Sequence, residues 1–333
     1  MYTKRQNTTL NCWKLIAALL IMGHHAVEIG QSGDYVFHGA YVYTEFFFMM
    51  SGFFLVKSLE EGKVKSITEY SKKMWLKLFP YTSITITIYY VILGLLSGSV
   101  REFLRLWLKW PMELFYLSDL HIIGVQLGQL WYIAAILIIM PLFCWLYFKD
   151  KDLFKILIWL LPLVWYGYCF TTWGQLGHRG VFIDLIRAVM NLGLGCFSFY
   201  ISNKISKYEY STKLKCLGMV IAWGSFIITI YFTYKFYWTE FDILCVFYFF
   251  ISLIFATSGM FIDLKYNKSY FWAELSMSLY IVHISVGSLI QRFFGESFSV
   301  FQKYVLYYLL SIVCAIVLQK AVGLIKKYKC YYG

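Results

Sequence analysis

The chain has 333 residues, of which 60% are hydrophobic, 21% aromatic and only 14% charged. Soluble domains have about 25% charged residues, so this composition excludes an ordinary soluble domain and indicates a polytopic membrane protein. The formal net charge of +12 would suit nucleic acid, but we expect no nucleic-acid partner because the basic residues follow membrane topology. The eight cysteines are scattered without C-x-x-C spacing, so neither a disulfide framework nor a metal site is expected.

Ten apolar runs are long enough to cross a hydrocarbon core about 30 Å thick. They predict an all-α polytopic membrane protein, with helices over residues 10–29, 37–56, 78–97, 130–148, 153–171, 185–202, 216–234, 243–262, 269–291 and 302–325. Residues 1–333 are expected to form one membrane domain with no appended soluble domain. The first run carries Lys14 and two histidines and has no A-x-A site after it, so we interpret it as a retained helix and not as a signal peptide.

The distribution of basic residues predicts the orientation. With the N-terminus in the cytoplasm, the inner segments hold 20 Lys and Arg residues and the outer segments and helix ends hold eight. By the positive-inside rule this bias places both termini in the cytoplasm. The basic excess is therefore expected to contact membrane lipid or an anionic cytosolic ligand.

The first span, LNCWKLIAALLIMGHHA, places Lys14 and His25 eleven residues apart. Eleven residues are about three helical turns, or about 16 Å, so both side chains lie nearly on one face. Ionisable residues inside a span usually face a cavity or a partner. For Lys14 the alternative is an anchor that snorkels to the inner surface, and for His25 it is a structural histidine.

The second span, YVYTEFFFMMSGFF, supplies a carboxylate. Glu45 lies about 12 Å from the outer side by helical rise, so we expect it to meet His25 and to orient the imidazole as a general base. His283, in the ninth span, lies at a similar depth. Ser51 and Gly52 offer a small-residue helix contact, which we prefer to a nucleophilic serine.

Two connecting segments are long enough to have functions of their own. The inner segment 57–77 is predicted to form a basic amphipathic surface helix that ends at the Pro80 break. Its Lys72, Lys73 and Lys77 suit a phosphorylated cytosolic ligand or lipid headgroups equally. The outer stretch 98–129 is interpreted as a partly re-entrant cap. Trp131 and Tyr132 follow it, and an aromatic belt at the outer interface is their default explanation.

Several stretches together resemble the integral membrane acyltransferase family 3, the bacterial O-acyltransferases of surface glycans. The family has a basic residue eleven positions before a histidine in its first helix, F-F-x-x-S-G in its second, a basic loop ending at a proline, an L-W-Y-I segment, and a late S-Y-x-x-Y-L-x-H motif. The matching residues are Lys14, His25, Glu45, Phe47, Phe48, Ser51, Gly52, Lys77, Pro80, Trp131, Tyr132, Ser276, Tyr280 and His283.

The resemblance implies a multi-pass protein of the bacterial inner membrane that uses cytosolic acyl-CoA, usually acetyl-CoA, and no metal. It would transfer the acyl group to a hydroxyl of a cell-surface polysaccharide or its lipid-linked precursor. His25 would act as general base or acyl carrier, with Glu45 orienting it. The implied donor-phosphate residues are Lys14, Lys72, Lys73 and Lys77, and the implied substrate or support residues are Ser51, Trp131, Tyr132, Tyr280 and His283.

Two departures from the family pattern affect the inner end of the first helix. Lys14 stands where arginine is common, which replaces a planar fork by a point charge, and Asn11 replaces an aspartate. The alternative function is a proton-coupled transporter or flippase in which His25, Glu45 and His283 form a relay. A transporter is expected to show inverted repeats, and none is visible. The sequence predicts no particular oligomeric state.

Overall fold

A computed structural model describes residues 8–30, 37–117, 126–176, 181–263, 266 and 268–332. Within these residues every regular element is helical, which confirms the predicted all-α class. Nine of the described helices are long and apolar enough to cross a membrane. The first helix is shorter, but it continues as a 3-10 turn, and the two together cover the predicted first span.

The described part of the chain forms eleven α-helices. They are α1 (Thr8–His24, continued by the 3-10 turn His25–Ile29), α2 (Tyr43–Glu60, preceded by the 3-10 turn His38–Val42), α3 (Ile67–Leu95), α4 (Val100–Leu114), α5 (Trp131–Lys149, preceded by the 3-10 turn Gly128–Leu130), α6 (Lys151–Tyr168, continued by a π turn Cys169–Trp173), α7 (Val181–Ile205), α8 (Thr212–Lys235), α9 (Glu240–Thr257), α10 (Ser269–Phe294) and α11 (Val300–Tyr332).

Helix α2 lies at the centre of the bundle. In its most apolar stretch of 18 residues 78% of the residues are buried, whereas in that of α11 only 22% are buried. Helix α11 therefore lies at the periphery of the bundle. The most extensive packing is between α2 and α7, α8 and α9, α1 and α10, and α10 and α11. Helices α1, α2 and α10 thus adjoin the interior in which the candidate site lies, and α7 packs against another side of α2.

Glycines allow α2 and α7 to approach closely. A Cβ atom at Gly52 would overlap the Leu192 carbonyl group, and a Cβ atom at Gly195 would overlap the Met49 carbonyl group. Small residues at a helix interface permit such backbone contact in membrane proteins. The predicted role of Gly52 in helix packing is confirmed, with α7 as the partner.

The structure corrects the prediction for the inner segment 57–77. Helix α2 continues to Glu60, and α3 begins at Ile67 after Ser66, whose hydroxyl accepts the Glu69 N–H at 3.1 Å. Helix α3 then runs through Pro80 without ending there. The predicted break was wrong because membrane helices tolerate an internal proline when neighbouring groups satisfy the freed backbone. The three lysines therefore belong to the first turns of α3.

Helix α4 runs back along α3. The Trp110 indole N–H donates to the Thr87 hydroxyl at 3.1 Å, and the Tyr116 hydroxyl lies 2.5 Å from that of Thr82. Thr87 and Thr82 both lie inside the predicted third span, so α4 lies beside that span. This position agrees with the interpretation of 98–129 as partly re-entrant. Residues 118–125 of that stretch lie outside the described part of the chain.

We predict that Gly195→Ala destabilises the protein, because the added methyl group meets backbone on α2 that has no room to move. Overpacking of this kind typically costs about 1–3 kcal/mol. The measurement is the thermal unfolding midpoint in detergent. Gly224→Ala on α8 is the matched control, because a Cβ there meets nothing within 4 Å and alanine favours a helix. Equal midpoints for the two variants would contradict the close α2–α7 contact.

Candidate active site

One side of α2 is less buried than the others, and this side with the residues that line it is called the groove. Between Tyr43 and Val56 only three side chains escape full burial: Phe47, Ser51 and Phe54. Their spacing of four and three residues places them on one stripe of the helix. The rest of this stretch packs against neighbouring helices, so the stripe is the one side on which α2 leaves space.

Two cations meet at one end of the groove, the end predicted to be cytoplasmic. The ammonium group of Lys14 lies 5.0 Å from the centre of the Phe54 ring. Lys77, on α3, is close enough to Lys14 for the two like charges to repel each other. Lys72 and Lys73 lie more than one turn earlier on α3 and are exposed. The structure therefore brings Lys77 together with Lys14 and leaves Lys72 and Lys73 on the adjoining surface.

Aromatic side chains line the middle of the groove. The Ser51 hydroxyl lies 3.1 Å from the Tyr132 hydroxyl, and the Tyr132 ring is 5.5 Å from that of Tyr280. Phe47 packs against both tyrosines. Tyr132 thus lines the interior, and its assignment to an outer aromatic belt was wrong because its hydroxyl has a partner inside the bundle.

Two histidines from distant spans meet at the other end. The rings of His25 and His283 are 5.1 Å apart, and Tyr280 lies 5.9 Å from His283. His283 Nδ1 lies 3.1 Å from the Leu279 carbonyl oxygen, which can only accept, so the proton is on Nδ1. Within the described residues, Nε2 of the fully buried His283 has no hydrogen-bond partner. In the neutral ring this nitrogen carries a lone pair.

His24 has a structural contact of its own. Its Nδ1 lies 2.6 Å from the His38 carbonyl oxygen, and its ring is 4.9 Å from that of His25. This hydrogen bond ties the end of α1 to the segment that precedes α2. The 3-10 turn that starts at His25 begins directly after this contact.

Glu45 does not pair with His25, contrary to expectation. It is fully buried, and one carboxylate oxygen accepts from Arg187 Nε at 2.7 Å and from a second Arg187 nitrogen. The other oxygen accepts from the side-chain amide of Asn191. Arg187 also donates to Asp184 at 3.2 Å. A buried carboxylate is stable beside a guanidinium that satisfies it, and α7 supplies that group.

Sequence reasoning missed Arg187, which was counted among the outer cations. Asp184, Arg187 and Asn191 follow one another at i, i+3 and i+7 on α7, a spacing that places them on one helical face. Three polar residues on one face of an otherwise apolar span were the signal that could have identified a buried partner for Glu45.

Aromatic residues close this ion pair off from the surroundings. Trp131 lies over the guanidinium of Arg187 at 5.3 Å and Tyr41 at 6.0 Å, distances that suit cation–π contacts. The Tyr41 hydroxyl donates to Asp242 on α9 at 2.6 Å. Trp131 therefore supports the ion pair, while its neighbour Tyr132 lines the groove.

The loop before α5 holds the tyrosine and histidine of α10 in place. The Gln129 side chain donates to the Ile281 carbonyl at 2.9 Å, and the Gln129 carbonyl accepts from the Tyr280 hydroxyl at 2.5 Å. The loop is itself fixed by Glu113 of α4, whose buried carboxylate accepts the backbone N–H groups of Gln126 and Leu127. Across the part of the chain that the structure describes, no three His, Cys, Asp or Glu side chains cluster as a metal site requires.

The fold and this groove define a polytopic membrane protein with an interior histidine site. A family model described as an acyltransferase domain matches residues 7–320. The chain therefore belongs to acyltransferase family 3, and it is a membrane acyltransferase. Comparison with curated proteins and with solved structures finds no significant match. The matched range contains every groove residue described above.

We predict that Arg187→Met lowers stability strongly, because it leaves the buried Glu45 carboxylate without its cation. Breaking a buried pair on one side typically costs about 3–5 kcal/mol. The double variant Glu45→Gln with Arg187→Met removes both charges and is expected to unfold at a higher temperature than Arg187→Met alone. The measurement is thermal unfolding of Glu45→Gln, Arg187→Met and the double variant in detergent. Strictly additive losses would argue against the pairing.

Proposed function

We propose that this acyltransferase moves an acetyl or other short acyl group from cytosolic acyl-CoA to a hydroxyl group of a cell-surface polysaccharide or its lipid-linked precursor. The observation that carries the proposal is the succession of neighbouring residues along the groove, which begins at Lys14 and Phe54, continues with Ser51, Tyr132 and Tyr280, and ends at the pair of histidines. It joins a cationic end to imidazole nitrogens across about 16 Å of α1. A donor with a polyanionic head and a thioester at the tip of an extended arm fits such a groove.

The donor is held at the cationic end. Lys14 and Lys77 lie together there, and opposite charges on phosphate groups would relieve the repulsion between them. Lys72 and Lys73 lie on the adjoining exposed surface and extend the positive field toward the cytosol. The pantetheine arm then lies along Phe54 and the Ser51–Tyr132 pair, and the acyl group arrives beside Tyr280 and the histidines.

The histidines supply the base. His25 removes the proton of the acceptor hydroxyl while the oxygen attacks the thioester carbonyl; the carbon–sulfur bond then breaks, and the leaving thiolate takes the proton. His283, with its tautomer fixed by Leu279, accepts a hydrogen bond at Nε2 from the acceptor or from His25. The alternative in the same site is an acyl-histidine at His25, which passes the acyl group on in a second step.

Glu45 acts at a distance from the reaction. It lies two residues before Phe47 on α2, and its ion pair with Arg187 fixes that end of α2 against α7. Its proposed role is to keep Phe47, Ser51 and Phe54 facing the groove. Trp131 covers the ion pair of Glu45 with Arg187. The transporter alternative needed Glu45 in a relay with the histidines, and the carboxylate contacts Arg187 and Asn191 instead, so no observation favours that function.

The proposed location is the inner membrane of a bacterium, with both termini in the cytoplasm. The excess of basic residues in the segments assigned to the inside supports this orientation. It places the Lys14 end on the side where acyl-CoA is made and the histidines nearer the outer side.

We expect His25→Ala to abolish acyl transfer while the protein still inserts. General acid–base catalysis is typically worth about 10²–10⁴-fold, so residual activity should fall by at least about 100-fold. The measurement is mass spectrometry of surface glycan from cells that carry the gene, the variant or neither, at matched protein abundance.

The neighbouring histidine provides the control. His24→Gln keeps a donor for the His38 carbonyl group, so it should preserve most of the acylation. If glycan acylation in His25→Ala stayed near the wild-type level, His25 would not be the base and the proposal would lose its catalytic residue.

A further inference from the structure

Helix α4 presents three different faces. Leu106 and Glu113 are buried against the protein, with 7% and 1% of their surface exposed. A second face is apolar and exposed, and it contains Val100, Leu104 and Leu108. At 100° per residue the third face, next to the apolar one, carries Arg101, Arg105 and Lys109. A helix with this division suits a boundary between lipid chains and phosphate.

The three cations form a regular row. They are four residues apart, so successive residues lie about 6 Å apart along the axis and the row extends about 12 Å. Arg105 has an exposed ion pair with Glu102 at 3.5 Å. Lys109 interacts with Glu113, whose carboxylate already accepts two backbone N–H groups. Three cations against one exposed carboxylate leave the face positive.

The row of cations and the apolar strip line one open pocket on the surface of α4. It has a volume of about 720 Å³ and is lined by Val100, Arg101, Leu104, Arg105, Leu108, Lys109 and Met112. An amphiphile with an anionic head and apolar chains matches this lining in both charge and polarity.

The depth of α4 favours an anionic partner for its cations. Trp110 contacts Thr87, inside the predicted third span, so the cations begin at the outer end of that span and continue into it. Cations at such a depth are costly unless a partner or water compensates them. Only eight Lys and Arg residues are assigned to the outer side, and three of them form this row.

We propose that Arg101, Arg105 and Lys109 bind the phosphate groups of anionic phospholipid in the outer leaflet. The row lies on a side of α4 that is turned away from its packing against α3 and is open to the surroundings, which favours bulk lipid over a substrate that must reach the histidines. Bound lipid also fixes α4, whose Glu113 holds the loop that carries Gln129.

The test uses the full chain in nanodiscs that contain phosphatidylcholine and phosphatidylglycerol in equal amounts. Native mass spectrometry gives the ratio of the two lipids that remain bound. We expect wild type to prefer phosphatidylglycerol, and R101Q/R105Q/K109Q to lose that preference by on the order of 10-fold or more. R101Q/K109Q keeps the Arg105–Glu102 pair and should lose part of the preference for phosphatidylglycerol. It replaces the triple variant in the test if the triple variant does not fold.

The matched control is K204Q/K207Q/K213Q, which removes three exposed cations near the turn between α7 and α8. It should keep the preference of wild type. Equal preference in wild type and the α4 variants, or an equal loss in the control, would overturn the proposal. Displacement of phosphatidylglycerol from the row by farnesyl diphosphate at equimolar concentration would also overturn it, in favour of a diphosphate lipid.

Discussion

The contact between α2 and α7 determines where the site lies. Gly52 and Gly195 bring the two backbones together, and the Glu45–Arg187 ion pair adds a buried charge contact near the start of α2. Helix association in a membrane depends on this kind of packing and polar contact, because lipid chains are as apolar as the side chains. With that side of α2 closed, only the stripe of Phe47, Ser51 and Phe54 can face an open space.

The proposed function assigns different chemistry to the two ends of the groove. In the proposed reaction, Lys14 and Lys77 would recognise the phosphate charge near water, and His25 and His283 would transfer the proton in the buried interior. A thioester donor is long enough to be held at one end while it reacts at the other. Binding energy from the distant head of a substrate can then orient its reactive end.

The sequence predicted the helices well because each span is a long apolar run. Depth along a span, which follows from helical rise, placed His25 and His283 at a similar level, and the family resemblance linked them with Lys14 and Lys77. It could not predict the partner of Glu45, because depth does not determine which of several helices faces a side chain. The predicted helix end at Pro80 was wrong for a related reason. A proline does not end a membrane helix when neighbouring helices satisfy the backbone groups that it leaves unpaired.

We propose that the acyl-CoA arm lies in the groove between Lys14 and the histidines. An acyl-CoA analogue with a photoreactive diazirine on the acyl chain tests it directly, with crosslinked residues mapped by mass spectrometry. We expect adducts near Tyr132 and between Tyr280 and His283, and acetyl-CoA should compete them away. The adducts should weaken in Lys14→Met and persist in Lys14→Arg, since arginine keeps the charge. Adducts confined to other helices, or adducts unchanged in Lys14→Met, would contradict it.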